Sequence, residues 1–429
     1  MTAGAGAMTA LLDRAARVIP GGVLGFHKLM APELFPAFAA RGAGAYVEDL
    51  EGQRYVDYIL GKGPVILGHG HPAVDAAVRA QLAAGNMLGL SIAAQVTVAE
   101  ALLTWFPHAE RVRFHKTGSD ACSAAVRLAR VSTGRPWILS SGYHGWHDWC
   151  SRGERGVPSD AVYCEDFHYD LDELERQLAR HAGATAAIFV EPQPSYLAPG
   201  FYRELVALAR AHGCLVMFDE VKTGLRVVGG SVQHQLDLAA DLTVVSKALA
   251  NGFCLSAVLG RADHLELSER THISTTYDVE AIPYAAAAAT LGELARPGTL
   301  ERLHASGMAV VDGLNQRFAA LDIPARAFGP GAMFRIGFAE PARELAFYSR
   351  LAREGVQLYP HDNHFLSTAH DQTTLERTLA AAERALDASR DAAPPALHHA
   401  DIADRTIAQF PSRKGFLHNA KSPNGRGRA

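Results

Sequence analysis

Between residues 100 and 260 the chain alternates short apolar runs with longer stretches whose apolar residues recur every three or four positions, a pattern that few folds accommodate. The runs RVRFH (111–115), WILSS (137–141), AAIFV (within 185–190), LVMFD (215–219) and LTVVS (242–246) have the length and β-branched content of strands. Between them, 120–132, 170–182 and 199–213 carry helical spacing, and 283–295 reads as a further helix. Strand and helix in turn predict a doubly wound α/β domain on a mostly parallel sheet.

The flanks read differently. Residues 34–60 suggest a hairpin turning at Glu51-Gly52, and 296–392 mix helices with short strands such as 332–339. The expected organisation is a large domain over 61–295 and a smaller α+β domain built from 1–60 and 296–392. A turn-rich, basic tail or arm follows over 393–429.

Composition narrows the function classes. With 48% hydrophobic and 20% charged residues over 429, the chain can bury a large core and a smaller second one. A net charge of −4 gives no basic face for nucleic acid or an anionic membrane, and no apolar run is long enough to span a bilayer. The Ala-rich start lacks the basic front and apolar middle of a signal peptide. Five cysteines, none in a C-x-x-C pair, suggest buried reduced thiols and a cytoplasmic protein.

Lysine is scarce. Of 41 basic residues only seven are lysine, at 28, 62, 116, 222, 247, 414 and 421. Arginine therefore supplies the solubilising charge, and a lysine ending the apolar run 242–246 points to a need for an amine that can be deprotonated.

In open α/β sheets the binding crevice lies at the carboxyl ends of the strands, where several polar residues follow these runs. Thr117-Gly118-Ser119 before a helix at Asp120 would gather free N–H groups into an anion cradle, or would be ordinary capping. Asp219 ends an apolar strand, as a structural ion-pair partner, a helix cap or the partner of a protonated heteroaromatic nitrogen. Tyr143 and His144 occupy a turn where an aromatic side chain can stack; alternatively the turn is plain surface, or His144 and His147 form a metal pair, for which no third ligand is evident. Lys247 lies 28 residues beyond Asp219, room for a helix and a strand. Anion cradle, acid, stacking ring and amine together match pyridoxal 5′-phosphate (PLP), whose aldehyde forms a Schiff base with lysine and whose ring nitrogen an acid keeps protonated. No metal is expected.

The segments FHKTGSDACSAAVRLARVSTGR, GYHGWHD, VMFDEVKTGLR, DLTVVSKALANGFCLSAVLGR and LSTAH, with RVIPGGV and GPVILGHGHPAV nearer the start, resemble class III aminotransferases. Within them they are most similar to the branch containing glutamate-1-semialdehyde 2,1-aminomutase. The resemblance covers roughly residues 10–390 and implies PLP fold type I. It implies that Lys247 is the Schiff-base lysine, Asp219 the ring-nitrogen partner, Gly118 and Ser119 the phosphate loop, and Val221 and Tyr143 the two covers of the ring, with His144 beside Tyr143. Glu191 matches an acid near the cofactor. Thr276 matches a threonine donated to the cofactor phosphate of a neighbouring subunit, which implies a homodimer with shared sites. Departures concern substrate: Gly25 and Lys28 stand where the aminomutases carry serine and a carboxylate-binding arginine, leaving Lys28 as the substrate contact. Ser195-Tyr196 replaces Gly-Asn, and a Gly-Asn-Pro form after Thr276 is missing.

The resulting expectation is an aminotransferase acting on a small-molecule amino donor and a carbonyl acceptor. An intramolecular aminomutase or a racemase on the same scaffold is the alternative. A PLP-fold protein without turnover would be expected to have lost Lys247, Asp219 or Thr276. A nicotinamide oxidoreductase would need a Gly-x-Gly-x-x-Gly turn, which the sequence lacks.

Overall fold

The computed structural model describes residues 7–23, 37–150, 163–360 and 362–388. They form two compact units, one combining the described residues up to Pro72 with those from Glu301 onward, the other comprising Ala73–Leu300.

The Ala73–Leu300 unit is built on seven strands: β1 (Arg111–His115), β2 (Trp137–Ser141), β3 (Cys164–Asp166), β4 (Thr185–Val190), β5 (Leu215–Asp219), β6 (Leu242–Val245) and β7 (Ser256–Gly260). They lie in the order β1-β7-β6-β5-β4-β2-β3. Only β7 runs against the rest, pairing antiparallel with β1 and β6. This is the doubly wound, mostly parallel sheet expected from the alternation, with β3 and β7 as additions.

Burial on both faces explains why its strands read as continuous apolar runs. Every residue of β4, β6 and β7 is buried. Ala187, Phe189 and Met217 pack on one face with Ala121, Ala125 and Leu128. Ile188, Val190, Val216 and Phe218 pack on the other with Leu174, Leu178, Phe201 and Leu205. The period-two alternation of strand side chains divides neighbours between two cores.

The helix after β1 spans Gly118–Thr133, beginning two residues before the expected Asp120. Thr117 is its cap: Thr117 Oγ1 accepts from Asp120 N (3.2 Å), while Asp120 Oδ2 accepts from Thr117 N (2.9 Å). Reciprocal capping of this kind commits Gly118 and Ser119 to the first helical turn rather than to a preceding loop.

Strand order also fixes where a crevice opens. From β2 the chain moves outward to β3, whereas from β4 it proceeds the opposite way to β5 and β6. The carboxyl ends of adjacent β2 and β4 therefore flank the topological switch point, the place where such sheets hold ligands.

In the other unit, Tyr46–Asp49 and Arg54–Asp57 form the expected antiparallel hairpin. It turns at Gly52 (φ 85°), and Asp49 Oδ1 accepts from the N–H groups of Glu51 and Gln53 at 2.9 Å each. Ala39–Ala43 and Val356–Gln357 complete this sheet, and Ala325–Phe328, Met333–Phe338 and His364–Phe365 make a second. Helices Pro341–Arg353 and Gln372–Ala388 pack against each other. The expected tail over 393–429 lies outside the described residues.

Cys122, Cys164 and Cys214 are buried and Cys150 is half-buried. Cys254 is exposed, against expectation, because it follows the turn after β6 and reaches the carbonyl of Lys116 at the sheet's end (3.2 Å). Among the described residues no helix is long and apolar enough to cross a membrane.

Candidate active site

Asp219 is the last residue of β5 and only 2% exposed. A carboxylate so deep must be hydrogen-bonded. Its Oδ2 accepts from His144 Nδ1 (2.8 Å) and the Cys122 thiol (3.5 Å), and its Oδ1 from Val221 N (3.1 Å). The His144 ring stacks on Phe189 at 4.2 Å between centroids, so a core aromatic of β4 fixes the plane in which Nδ1 meets the acid. Burial, then the neighbouring Asp219, push the Cys122 thiol well above its ordinary range, so it remains a donor. Ligand atoms of Cys122, His144 and Asp219 lie within 4.8 Å of one another, an arrangement already accounted for by these hydrogen bonds. His147 turns elsewhere, its Nδ1 2.7 Å from Ser123 Oγ, so the two turn histidines do not converge.

Lys247 follows β6 by two residues and is half-buried, opening the short turn Lys247–Ala250. Its backbone sits at φ 39°, the left-handed region, which costs a non-glycine residue roughly 1–2 kcal/mol. A lysine held there against its preference, at a sheet's carboxyl edge, is placed for a purpose beyond packing. Since Asp219 sits opposite Val244 in the β5–β6 register, Lys247 emerges three residues beyond the level of Asp219 on the adjacent strand.

The cradle joins them. A Cβ added at Gly118 would stand 3.2 Å from both methyl carbons of Val221 and 3.8 Å from Ser246 Cβ. The positive end of the Gly118–Thr133 helix thus abuts both the residue two beyond Asp219 and the residue before Lys247.

One loop ties the edge together. Gly142 (φ 112°) runs against Glu191, Tyr143 N donates to Glu191 Oε2 (3.0 Å), and His144 meets Asp219. At Gly145 (φ 98°) a Cβ would fall 2.2 Å from Ser119 Oγ. Glu191 follows β4, 2% exposed, with Lys222 Nζ 2.6 Å from its Oε1. Tyr143 is 49% exposed.

Among the sequence-predicted residues, Gly118, Ser119, Tyr143, His144, Glu191, Asp219 and Val221 thus meet around one crevice edge, with Lys247 next to it. Thr276 lies apart on the exposed turn Thr276–Val279. That turn is held by Arg113 on Ile273 O (2.7 Å) and by the Lys116–Glu280 ion pair. Lys28 lies outside the described residues. The sequence reading missed Cys122, Lys222 and Gly145. For Lys222 the scarcity of lysine was a usable signal, and for Gly145 its place beside Tyr143-His144.

The residues fit PLP: a helix N-terminus for the phosphate, a buried acid for the ring nitrogen and an amine beside them. Comparison with known proteins agrees. The profile of the family described as Aminotransferase class-III matches residues 30–150 and 156–386. A 2′-deamino-2′-hydroxyneamine transaminase of Streptomyces kanamyceticus is 38% identical, over 81% of this chain and 91% of its own length. A glutamate-1-semialdehyde 2,1-aminomutase of Roseiflexus castenholzii is 32% identical, over 89% of this chain and 98% of its own. Among solved structures, the PLP form of the FumI protein of Sphingopyxis sp. MTA144 superposes with a TM-score of 0.83 at 32% identity, covering 89% of this chain and 96% of that one. The chain belongs to the class III aminotransferases. It is a PLP-dependent aminotransferase of fold type I.

Proposed function

We propose that Lys247 and Asp219 carry the amino transfer, with the cofactor held by Gly118, Ser119, Tyr143, His144, Glu191 and Val221 of one chain and by Thr276 of a second. The observation carrying this reading is the abutment of Gly118 on Val221 and Ser246, which gathers the helix terminus and the flanks of Asp219 and Lys247 at one place.

Bound PLP supplies an aldehyde carbon for amino groups to join and a ring that spreads the electron pair left when the neighbouring C–H bond breaks. The chain's residues do the rest. Nζ of Lys247 would tether the cofactor and, once released by an incoming amino group, would carry the proton taken from that C–H bond. Asp219, oriented by His144, Cys122 and Val221 N, holds a proton at the ring nitrogen. First-turn N–H groups at Gly118 and Ser119 receive the phosphate. Val221 and Tyr143 would cover the ring, and Lys28 would meet a substrate carboxylate.

A homodimer belongs to this reading. Leu82, Met87, Leu88, Leu90 and Val96 are exposed apolar residues within one short stretch. Asn86 ties that stretch to the Thr276 turn, receiving Ala281 N (2.8 Å) and Ile282 N (3.1 Å). Tyr277, beside Thr276, is 56% exposed. Apolar surface concentrated beside a residue assigned to a partner's phosphate is what a shared-site interface needs. A cytoplasmic setting accords with cysteines that are all free.

The second reading is an aminomutase, supported by the 32% identity to an enzyme of that name. A donor screen decides. Purified protein with PLP should absorb in the visible, and common amino acids should convert the bound cofactor to its amine form with release of a keto product. Wild type that gives no visible band with added PLP refutes the assignment, as does a Lys247→Ala variant that turns over normally. Conversion without any released carbonyl product favours the aminomutase.

A further inference from the structure

All three lysines of the Ala73–Leu300 unit stand at carboxyl ends of strands: Lys116 directly after β1, Lys222 three residues after β5 and Lys247 two residues after β6. Lys222 has no role in the proposed chemistry. In a chain that supplies most of its positive charge with arginine, a half-buried lysine there needs a reason.

Its partner supplies one. Glu191 Oε1 meets Lys222 Nζ at 2.6 Å, with the two side chains 3% and 11% exposed. The other oxygen, Oε2, receives Tyr143 N (3.0 Å) and Gln193 Nε2 (2.9 Å). A carboxylate this deep needs such a counter-charge to offset the water it has lost. Without the ammonium Oε1 would lose its charged partner, and nothing on that side among the described residues would hold the carboxylate in the orientation that meets Tyr143 N. Tyr143 is half-exposed, and its backbone N–H is anchored on Glu191. Gly142 reinforces this, because a Cβ there would stand 2.4 Å from Glu191 Cβ, which presses the loop onto the same acid.

The geometry points to Lys222 as the residue that positions Tyr143: its ammonium fixes Glu191 through Oε1, and Glu191 through Oε2 holds the backbone that would set the Tyr143 ring over the cofactor. Lysine suits this task where arginine would not. An ammonium is a point charge that occupies Oε1 alone, whereas a guanidinium fork engages both oxygens and competes with Tyr143 N for Oε2. The inference rests on the proposed role of Tyr143 as a cover of the ring.

The test uses the full-length protein and PLP itself, reading its dissociation constant and the circular dichroism of the bound-cofactor band. Lys222→Met should weaken PLP affinity roughly tenfold, the equivalent of one charge-assisted hydrogen bond, and diminish the dichroic band. In a Tyr143→Ala background the same change should have no further effect. Lys222→Arg should keep wild-type thermal stability and still bind PLP loosely, which a purely structural ion pair would not do. If Lys222→Met does not accumulate folded, Lys222→Arg takes its place in the cycle with Tyr143→Ala. Wild-type affinity and dichroism in the Lys222 variants overturn the inference, as does an undiminished effect in the Tyr143→Ala background. Should Tyr143→Ala itself bind PLP like wild type, the assignment of Tyr143 as ring cover falls and takes the inference with it. Failure confined to Lys222 leaves that assignment standing.

Discussion

Glu220, next to the acid assigned to the cofactor, is fully buried. Its carboxylate accepts from the Thr223 hydroxyl and from Gln233 N (3.1 Å). Burial outweighs these bonds and pushes its pKa up to about 7 from an ordinary 4.5. In the unfolded chain the group would ionise near its ordinary value, so folding favours the protonated form. Its contribution is therefore full below about pH 4.5 and is lost as pH rises through 7, a difference of about 3 kcal/mol. Glu220→Gln keeps a neutral amide in the same place and should flatten this part of the profile. Urea unfolding followed between pH 5 and pH 8 should show the variant gaining on wild type toward the alkaline end. Parallel curves would mean that Glu220 stays neutral, or finds compensation, across that range.

At the scale of elements, the loop from Gly142 to Gly145 and the Gly118–Thr133 helix act as one piece. Gly145→Ala would place a methyl 2.2 Å from Ser119 Oγ and 2.9 Å from Ser119 Cα, with φ at 98°. The first helical turn must then move, and with it the N–H groups proposed to receive the phosphate. Gly134, the helix's C-cap at φ 65°, has open space where a Cβ would go. Gly134→Ala should cost roughly 1–2 kcal/mol of stability and leave PLP affinity unchanged, whereas Gly145→Ala should lower PLP affinity at least tenfold. Equal PLP affinity in the two variants would separate the loop from the cradle. These elements also show what a sequence displays. Strands β2, β4, β5 and β6 were legible because burial on both faces demands nearly unbroken apolar runs, whereas the half-buried edge strand β1 showed itself through the alternation in RVRFH. β7 was not singled out, since its antiparallel place between β1 and β6 comes from pairing that no local periodicity encodes. The helix start was displaced by two residues because Gly-Ser reads as a turn until Thr117 and Asp120 are seen to cap each other. At the site, Asp219 and Lys247 drew attention as polar residues ending apolar runs. The Lys222–Glu191 pair did not, because its partners lie 31 positions apart and meet only once β4 and β5 are adjacent.

At the scale of the whole molecule, the exposed Thr276 turn makes the shared-site dimer testable by complementation. Thr276→Ala should weaken PLP retention without unfolding the chain, because the turn is held by Arg113 and by the Lys116–Glu280 pair and not by Thr276 itself. Lys247→Ala removes the tethering amine. In a dimer whose sites each draw on both chains, mixing the two variants yields heterodimers with one doubly impaired site and one site with both residues intact. That intact site takes Lys247 from the Thr276→Ala chain and Thr276 from the Lys247→Ala chain. Random reassociation should therefore restore roughly a quarter of the wild-type sites, measured as turnover at PLP concentrations too low to load Thr276→Ala alone. If each site were built from a single chain, every heterodimer would carry one site without its lysine and one without its threonine, and turnover would stay at the average of the separate variants. Charge placed on the apolar stretch, as in Leu88→Arg, should prevent assembly. Sedimentation should then show a monomer that binds PLP no better than Thr276→Ala, since the interface proposed to join the chains would also bring Thr276 to the phosphate.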